Sequence, residues 1–228
     1  MTAVSTFRQE LEAAVLERHC AHHPMTQKWA AGELSRNALM GWGIEHYHWI
    51  SNMSPVTFTK IAYAPPEVRR VILENYFEEN DDDRPHLPIV LRFAAANGAD
   101  IEAVKRGRGL PTTEAWVAFL HRAAQTSWIA GVAATNIGTE SQSPLLYSTV
   151  LPALREKYRL PEDVIEHFWL HIDADTEHGG RAFEVLEQFC TTEEQRQTAI
   201  HWARESAKMR WFYFDGIYLH YELGYKLR

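Results

Sequence analysis

The sequence is poor in cysteine, in basic clusters and in long apolar runs. Cys20 and Cys190 are its only cysteines in 228 residues. They lie far apart and form neither CxxC nor CxxxC, which argues against a disulfide framework and a thiolate metal site and points to a reducing, cytoplasmic compartment. Neither is expected to act as a nucleophile. No stretch reaches about 18 uninterrupted apolar residues, so no transmembrane helix is expected. Met1 to Cys20 lacks a basic start followed by an apolar core, so it does not read as a signal peptide. Lys and Arg are scattered through a chain of net charge −7, with no stripe for nucleic acid and no polybasic run for a membrane surface. No alternating run is long enough for a strand, and there is no internal repeat, low-complexity tract or dividing linker.

What remains is helix. A hydrophobic content of 46% suffices for one sizeable core, and the expectation is a single all-α domain over residues 1–228. Phe7, Leu11, Ala14, Val15 and Leu16 mark a first helix from Thr6 to His19. A short helix follows over 26–31. Ser35 reads as the N-cap of a long helix to Ala62, kinked at Ser54-Pro55. Pro66 opens a helix to about Asn80. Pro88 falls in the first turn of another, which Asn97-Gly98 ends. Shorter helices follow near 100–106, over 114–124 with Thr112 or Thr113 as cap, and over 127–140, where Ala130, Gly131, Ala133 and Ala134 are small. The segment 145–158 is helical despite Pro152. Two long helices, 161–189 and 192–223, close the chain, the second opening on the capping sequence Thr191-Thr192-Glu193-Glu194.

Histidine is in surplus, with twelve residues, and it is the commonest metal ligand. In His171-Ile-Asp-Ala-Asp175-Thr-Glu-His178 the helical advance of about 100° per residue brings His171, Asp175 and His178 within roughly 60° of one another on one face. Composition alone yields such a triple about 2% of the time, and polar triples also line exposed helix faces. Two imidazoles and a carboxylate suit Fe(II), Mn(II) or Zn(II). Glu79 and His86 are two helical turns apart, although Glu78, Asp82 or Asp83 could pair with His86 instead, and Pro85 and Pro88 break the helix pattern between them. Glu140 ends the small-residue segment. Three carboxylates and three histidines would give each of two metals about three ligands, with carboxylates free to bridge and positions open for O2 and substrate.

The order Glu79, His86, Glu140, His171-xxx-Asp175-xx-His178 resembles the ligand pattern of the haem-oxygenase-like diiron oxidases and oxygenases, a group that includes the Chlamydia protein associating with death domains and lies near the pyrroloquinoline-quinone synthase C and TenA proteins. His22-His-Pro-Met-Thr-Gln-Lys-Trp29 and Ile44-Glu-His-Tyr-His-Trp-Ile50 look like that group too. The resemblance implies a haem-oxygenase-like bundle of seven to eight helices, two iron ions (or manganese in their place), O2 as co-substrate, and an oxidase or oxygenase acting on an amino-acid, amine or fatty-acid type of substrate in a biosynthetic pathway. Members that form p-aminobenzoate consume their own tyrosine after a His-Pro pair. Here that stretch reads Pro24-Met25-Thr26-Gln27, and Leu145 to Leu154 holds no lysine. Tyr47, Tyr63 and Lys157 are the residues that could substitute.

Of Glu45, His46, Tyr47 and His48, at most two can face one pocket; His46, His48 and Tyr47 are candidates to support the dimetal centre. Arg210 on the last helix could hold a substrate carboxylate, with Tyr213 beside it; aromatic core and surface charge is the plainer reading. Expected partners are a small-molecule substrate, O2, an external electron donor and a second copy of the chain in a homodimer, with neither nucleic acid nor membrane. Two other functions compete: a metal-independent enzyme of the quinone-synthase or TenA kind, and a protein-binding module that keeps only the bundle.

Overall fold

A computed structural model describes residues 6–80 and 85–227, and among them the only regular structure is helical. α1 spans Thr6–Leu16, α2 Pro24–Ala30, α3 Arg36–Ile50, α4 Met53–Tyr63, α5 Pro66–Glu79, α6 His86–Ala96, α7 Ile101–Arg106, α8 Pro111–Thr126, α9 Trp128–Val132, α10 Ser143–Glu156, α11 Glu166–Phe189 and α12 Glu193–Ile217. No helix among the described residues is long and apolar enough to cross a membrane.

Local chemistry accounts for most of the boundaries. Ser35 accepts the Ala38 N–H and starts α3. Thr192 and Gln195 close a reciprocal capping box at α12, satisfying donors that a helix start leaves free. Pro24 and Pro66 open α2 and α5, where a missing N–H costs nothing. α10 runs unbroken through Pro152.

Some boundaries depart from the pattern. α1 stops at Leu16, because His19 and His23 accept the N–H groups of Ala21 and Met25 and so start a short 3-10 turn and then α2. The long helix expected from Ser35 divides at Ser51-Asn52, where Ser51 Oγ and the Asn52 amide both donate to the His48 carbonyl; Pro55 therefore lies in the first turn of α4 rather than at a kink. Thr112 and Thr113 do not cap α8. It begins at Pro111, and the buried Glu45 of α3 caps it from a distance, its Oε2 accepting the Leu110 N–H and the Thr113 hydroxyl at 2.7 Å each. Glu45→Ala would leave both buried donors without an acceptor. The expected cost is about 3 kcal/mol in urea denaturation, and a loss well under about 1 kcal/mol would show that the cap does not hold this junction.

Two apolar clusters make the core. The first gathers Trp29, Trp42, Phe93, Trp116, Tyr147 and Phe168 from α2, α3, α6, α8, α10 and α11. The second is mostly aliphatic and joins α1, α5, α9, the end of α11 and α12. Trp49 and Tyr147 of the first and Ile72 of the second reach the wall of one cavity of about 200 Å³. After α9 the chain makes a π turn over Ala133–Ile137, a wide turn that often sits at functional sites. The hydroxyls of Ser206 and Thr139 both donate to the Ala134 carbonyl. A methyl group at Gly138 would lie 2.5 Å from Ser206 Cβ, so glycine is what lets α12 come this close.

Candidate metal centre

α11 carries His167, His171, Asp175 and His178 on its buried face, and all four line the cavity. The ring of His171 is set by its own helix: its Nδ1–H donates to the His167 carbonyl at 2.7 Å, leaving Nε2 3.7 Å from Glu79 Oε2. His178 Nε2 donates to Glu78 Oε2 at 2.8 Å, and the same oxygen accepts from Arg181. The other nitrogen of His178 then lies 3.5 Å from Glu79 Oε1 and 3.8 Å from Asp175 Oδ1.

Glu79 and His86 do not share a helix. Glu79 ends α5 and His86 begins α6, yet Nδ1 of His86 lies 2.5 Å from Glu79 Oε2. The meeting of two helix ends, not the phase of one helix, brings them together. Of the alternative partners for His86, Glu78 is occupied by His178 and Arg181, and Asp82 and Asp83 lie outside the described residues.

Donor atoms of Glu79, His86 and His171 fall within 4.8 Å of one another, and so do those of Glu79, Asp175 and His178. The two groups share Glu79. Glu140 follows the π turn and lines the same cavity, held by Asn136 Nδ2 at 2.7 Å, but belongs to neither group.

The electrostatics show a cluster short of positive charge. Burial pushes Asp175 up to about 7 and also raises Glu140, with neighbouring carboxylates adding to both shifts. Burial opposes charge on His171, but Glu79 and Asp175 outweigh it and raise its pKa to about 9. His178 rises for the same reason, with Glu140 the largest contributor. Burial would raise Glu79, yet the His171 and His86 rings hold it well below the carboxylate range. Without a cation the carboxylates thus hold protons on themselves or on the imidazoles. Divalent first-row metals fit this buried donor set of nitrogen and oxygen, free of sulfur.

His46 lines the cavity, whereas Tyr47 and His48 do not; the Tyr47 ring lies against His48. Arg210 and Tyr213, expected to reach a substrate, are core residues away from the cavity. The Arg210 guanidinium is spent on the Thr139 carbonyl and Ser143 Oγ, and Tyr213 packs on Trp116. Tyr63 and Lys157 are exposed. Both thiols are buried and free, with pKa values raised by burial. Lys60, Tyr147 and His167 line the cavity without having been singled out from sequence. His167 could have been found, since it extends the His171 and Asp175 spacing by one turn toward the N-terminus.

The model for a family described as iron-containing redox enzymes matches residues 41–211. A 4-aminobenzoate synthase of Nitrosomonas europaea is 27% identical to this chain over 232 residues, covering 96% of this chain and 94% of that one. One from Chlamydia muridarum is 27% identical over 190 residues, covering 79% and 78%. A Shewanella denitrificans domain of unknown function with a haem oxygenase-like fold superposes with a TM-score of 0.81 at 19% identity, covering 100% of this chain and 99% of that one. This likeness establishes the fold.

Proposed function

Because the chain belongs to the family of iron-containing redox enzymes, we propose that its two donor groups hold a pair of iron ions, and that the cavity brings a small organic substrate and O2 to that pair. The observation that carries this reading is the sharing of Glu79 between two buried groups, each offering a carboxylate and two further donors. A carboxylate has two oxygens and can bridge two cations. His86 and His171 would complete one position, Asp175 and His178 the other. Glu140 stands in the same wall and would be the sixth donor.

Iron bound there would supply electrons for O2 chemistry, which an external donor would restore. The chain's own residues do the rest. The His167 carbonyl keeps the His171 Nδ1–H engaged, so that Nε2 is left as the atom that would face a bound cation. Glu78 orients His178 in the same way. Trp49, Ile50, Met53 and Leu87 give the cavity an apolar wall that displaces water from a substrate. Tyr147, whose hydroxyl lies 3.1 Å from His167 Nε2, stays a phenol because burial raises its pKa, so it can donate a hydrogen bond within the cavity.

Anaerobic loading with Fe(II) tests the reading. About two ions per chain are expected, falling to about one in His171→Ala, which removes a donor from one group only. The loaded protein should consume O2 when given a reductant, and a chelator should stop it. Activity that survives chelation would favour a metal-independent enzyme instead. The relatives' name makes 4-aminobenzoate the first product to seek by mass spectrometry.

A further inference from the structure

Lys60 of α4 lines the cavity with 4% of its surface exposed. Its ammonium donates to Thr135 Oγ1 at 2.7 Å and to Asn136 Oδ1 at 3.3 Å. Both acceptors are neutral, and an ammonium has three N–H groups. Among the described residues no ion pair includes it. Glu140 is the carboxylate whose charge it feels, with Asn136 bonded to both side chains. A buried cation ordinarily has an anionic partner, since burial without one is costly.

The surroundings are shaped to keep this side chain in place. A methyl group at Gly131 would lie 2.5 Å from Lys60 Cγ and 2.9 Å from Cδ, so the aliphatic stem passes directly over a glycine. Thr135 follows one turn later, and the π turn brings Asn136 alongside. Burial lowers the ammonium to about 8, which still leaves it charged at neutral pH. The cavity thus has a positive group with a spare donor, linked through Asn136 to Glu140 at the edge of the carboxylate and histidine cluster, and an apolar stretch of wall from Trp49, Ile50, Met53 and Leu87.

We propose that Lys60 recognises a carboxylate on the substrate, so that the cavity takes a small organic acid with an aryl or alkyl body. The carboxylate accepts the N–H that Thr135 and Asn136 leave unused and supplies a negative charge in direct contact with the ammonium. The assignment rests on the cavity being the substrate chamber of the iron centre.

Calorimetric titration of the anaerobic, Fe(II)-loaded protein with benzoate, 3-phenylpropanoate and hexanoate, each against its neutral amide, tests this. At least one acid is expected to bind about tenfold more tightly than its amide. Lys60→Met should remove that preference while iron content and amide affinity stay as in the wild type. Removing a buried charge that makes no direct ion pair should not lower the melting temperature, and Lys60→Gln provides a second, polar variant. The proposal is overturned if no acid binds, if acid and amide bind alike, or if Lys60→Met keeps the preference. A preference that survives Lys60→Met and disappears on chelation would mean that the acid binds iron alone, and it too overturns the proposal. Repeating the titration on chelated protein separates the two ideas. Absence of iron binding defeats the iron reading, while the acid preference is still read.

Discussion

Exchange of Glu79 for glutamine is expected to empty both halves of the centre, taking anaerobic iron binding from about two ions per chain to well below one. The reason is position. One oxygen of Glu79 faces His86 and His171 and the other faces His178, so no other residue contributes to both groups. Glutamine keeps the shape but offers one oxygen and replaces the other with a donor that repels a cation. His86→Ala and His178→Ala each touch one group only and should leave about one ion per chain. Colorimetric iron determination on desalted samples, paired with circular dichroism to confirm helicity, gives the comparison. Equal losses in all three variants would mean that the metals bind in an all-or-none manner without a special role for Glu79. Two ions retained in Glu79→Gln would remove Glu79 from the centre altogether.

This contrast also shows what the sequence made legible. The His171, Asp175 and His178 triple could be read because one helix sets all three by its period, and α11 realises that period on its buried face. Glu79 with His86 was legible as a pair but not as a geometry. Their seven-residue spacing fits a continuous helix, yet the chain ends one helix at Glu79 and starts the next at His86. The meeting depends on how α5 and α6 pack against α11, which spacing does not encode. The same limit hid Glu45 as the cap of α8. Thr112 and Thr113 are the local candidates, and only the crossing of α3 over the start of α8 supplies a better acceptor. Lys60 was invisible for a related reason. Its helix gives no sign of an inward charge, and its importance comes from Gly131, Thr135 and Asn136 across the cavity. Arg210 went the other way. An inward guanidinium suggested a substrate clamp, whereas it is engaged within the core by the Thr139 carbonyl and Ser143 Oγ.

Removal of metal is expected to make stability fall as pH rises from 7 to 8, and bound Fe(II) to abolish that fall. The folded pKa of His171, about 9, lies above its unfolded value of about 6.5. Its contribution is therefore full below about pH 6.5 and is lost as pH rises through 9. His178 shifts the same way. Asp175, raised to about 7, gives up its proton near the start of the window and adds to the loss. Groups of opposite sign act mainly outside the window. Buried His46 and His167 are held neutral and raise stability only up to about pH 6.5, where the unfolded chain releases the same protons. Lys60, lowered to about 8, offsets part of the loss toward the upper end of the window and acts mostly above it. One proton across one pH unit is worth about 1.4 kcal/mol, or roughly 3–5 °C in a chain of this size. Coordinated His171 and Asp175 are already deprotonated, so the loaded protein should melt at nearly constant temperature over the same interval. At a thousandfold excess over its dissociation constant, Fe(II) adds about 4 kcal/mol, on the order of 10 °C. Anaerobic differential scanning fluorimetry at pH 7 and 8, with and without Fe(II), should show the gap between the two forms widening with pH. A gap that narrows, or a metal-free protein that grows more stable toward pH 8, would place the titrating histidines elsewhere and detach them from the metal-binding reading.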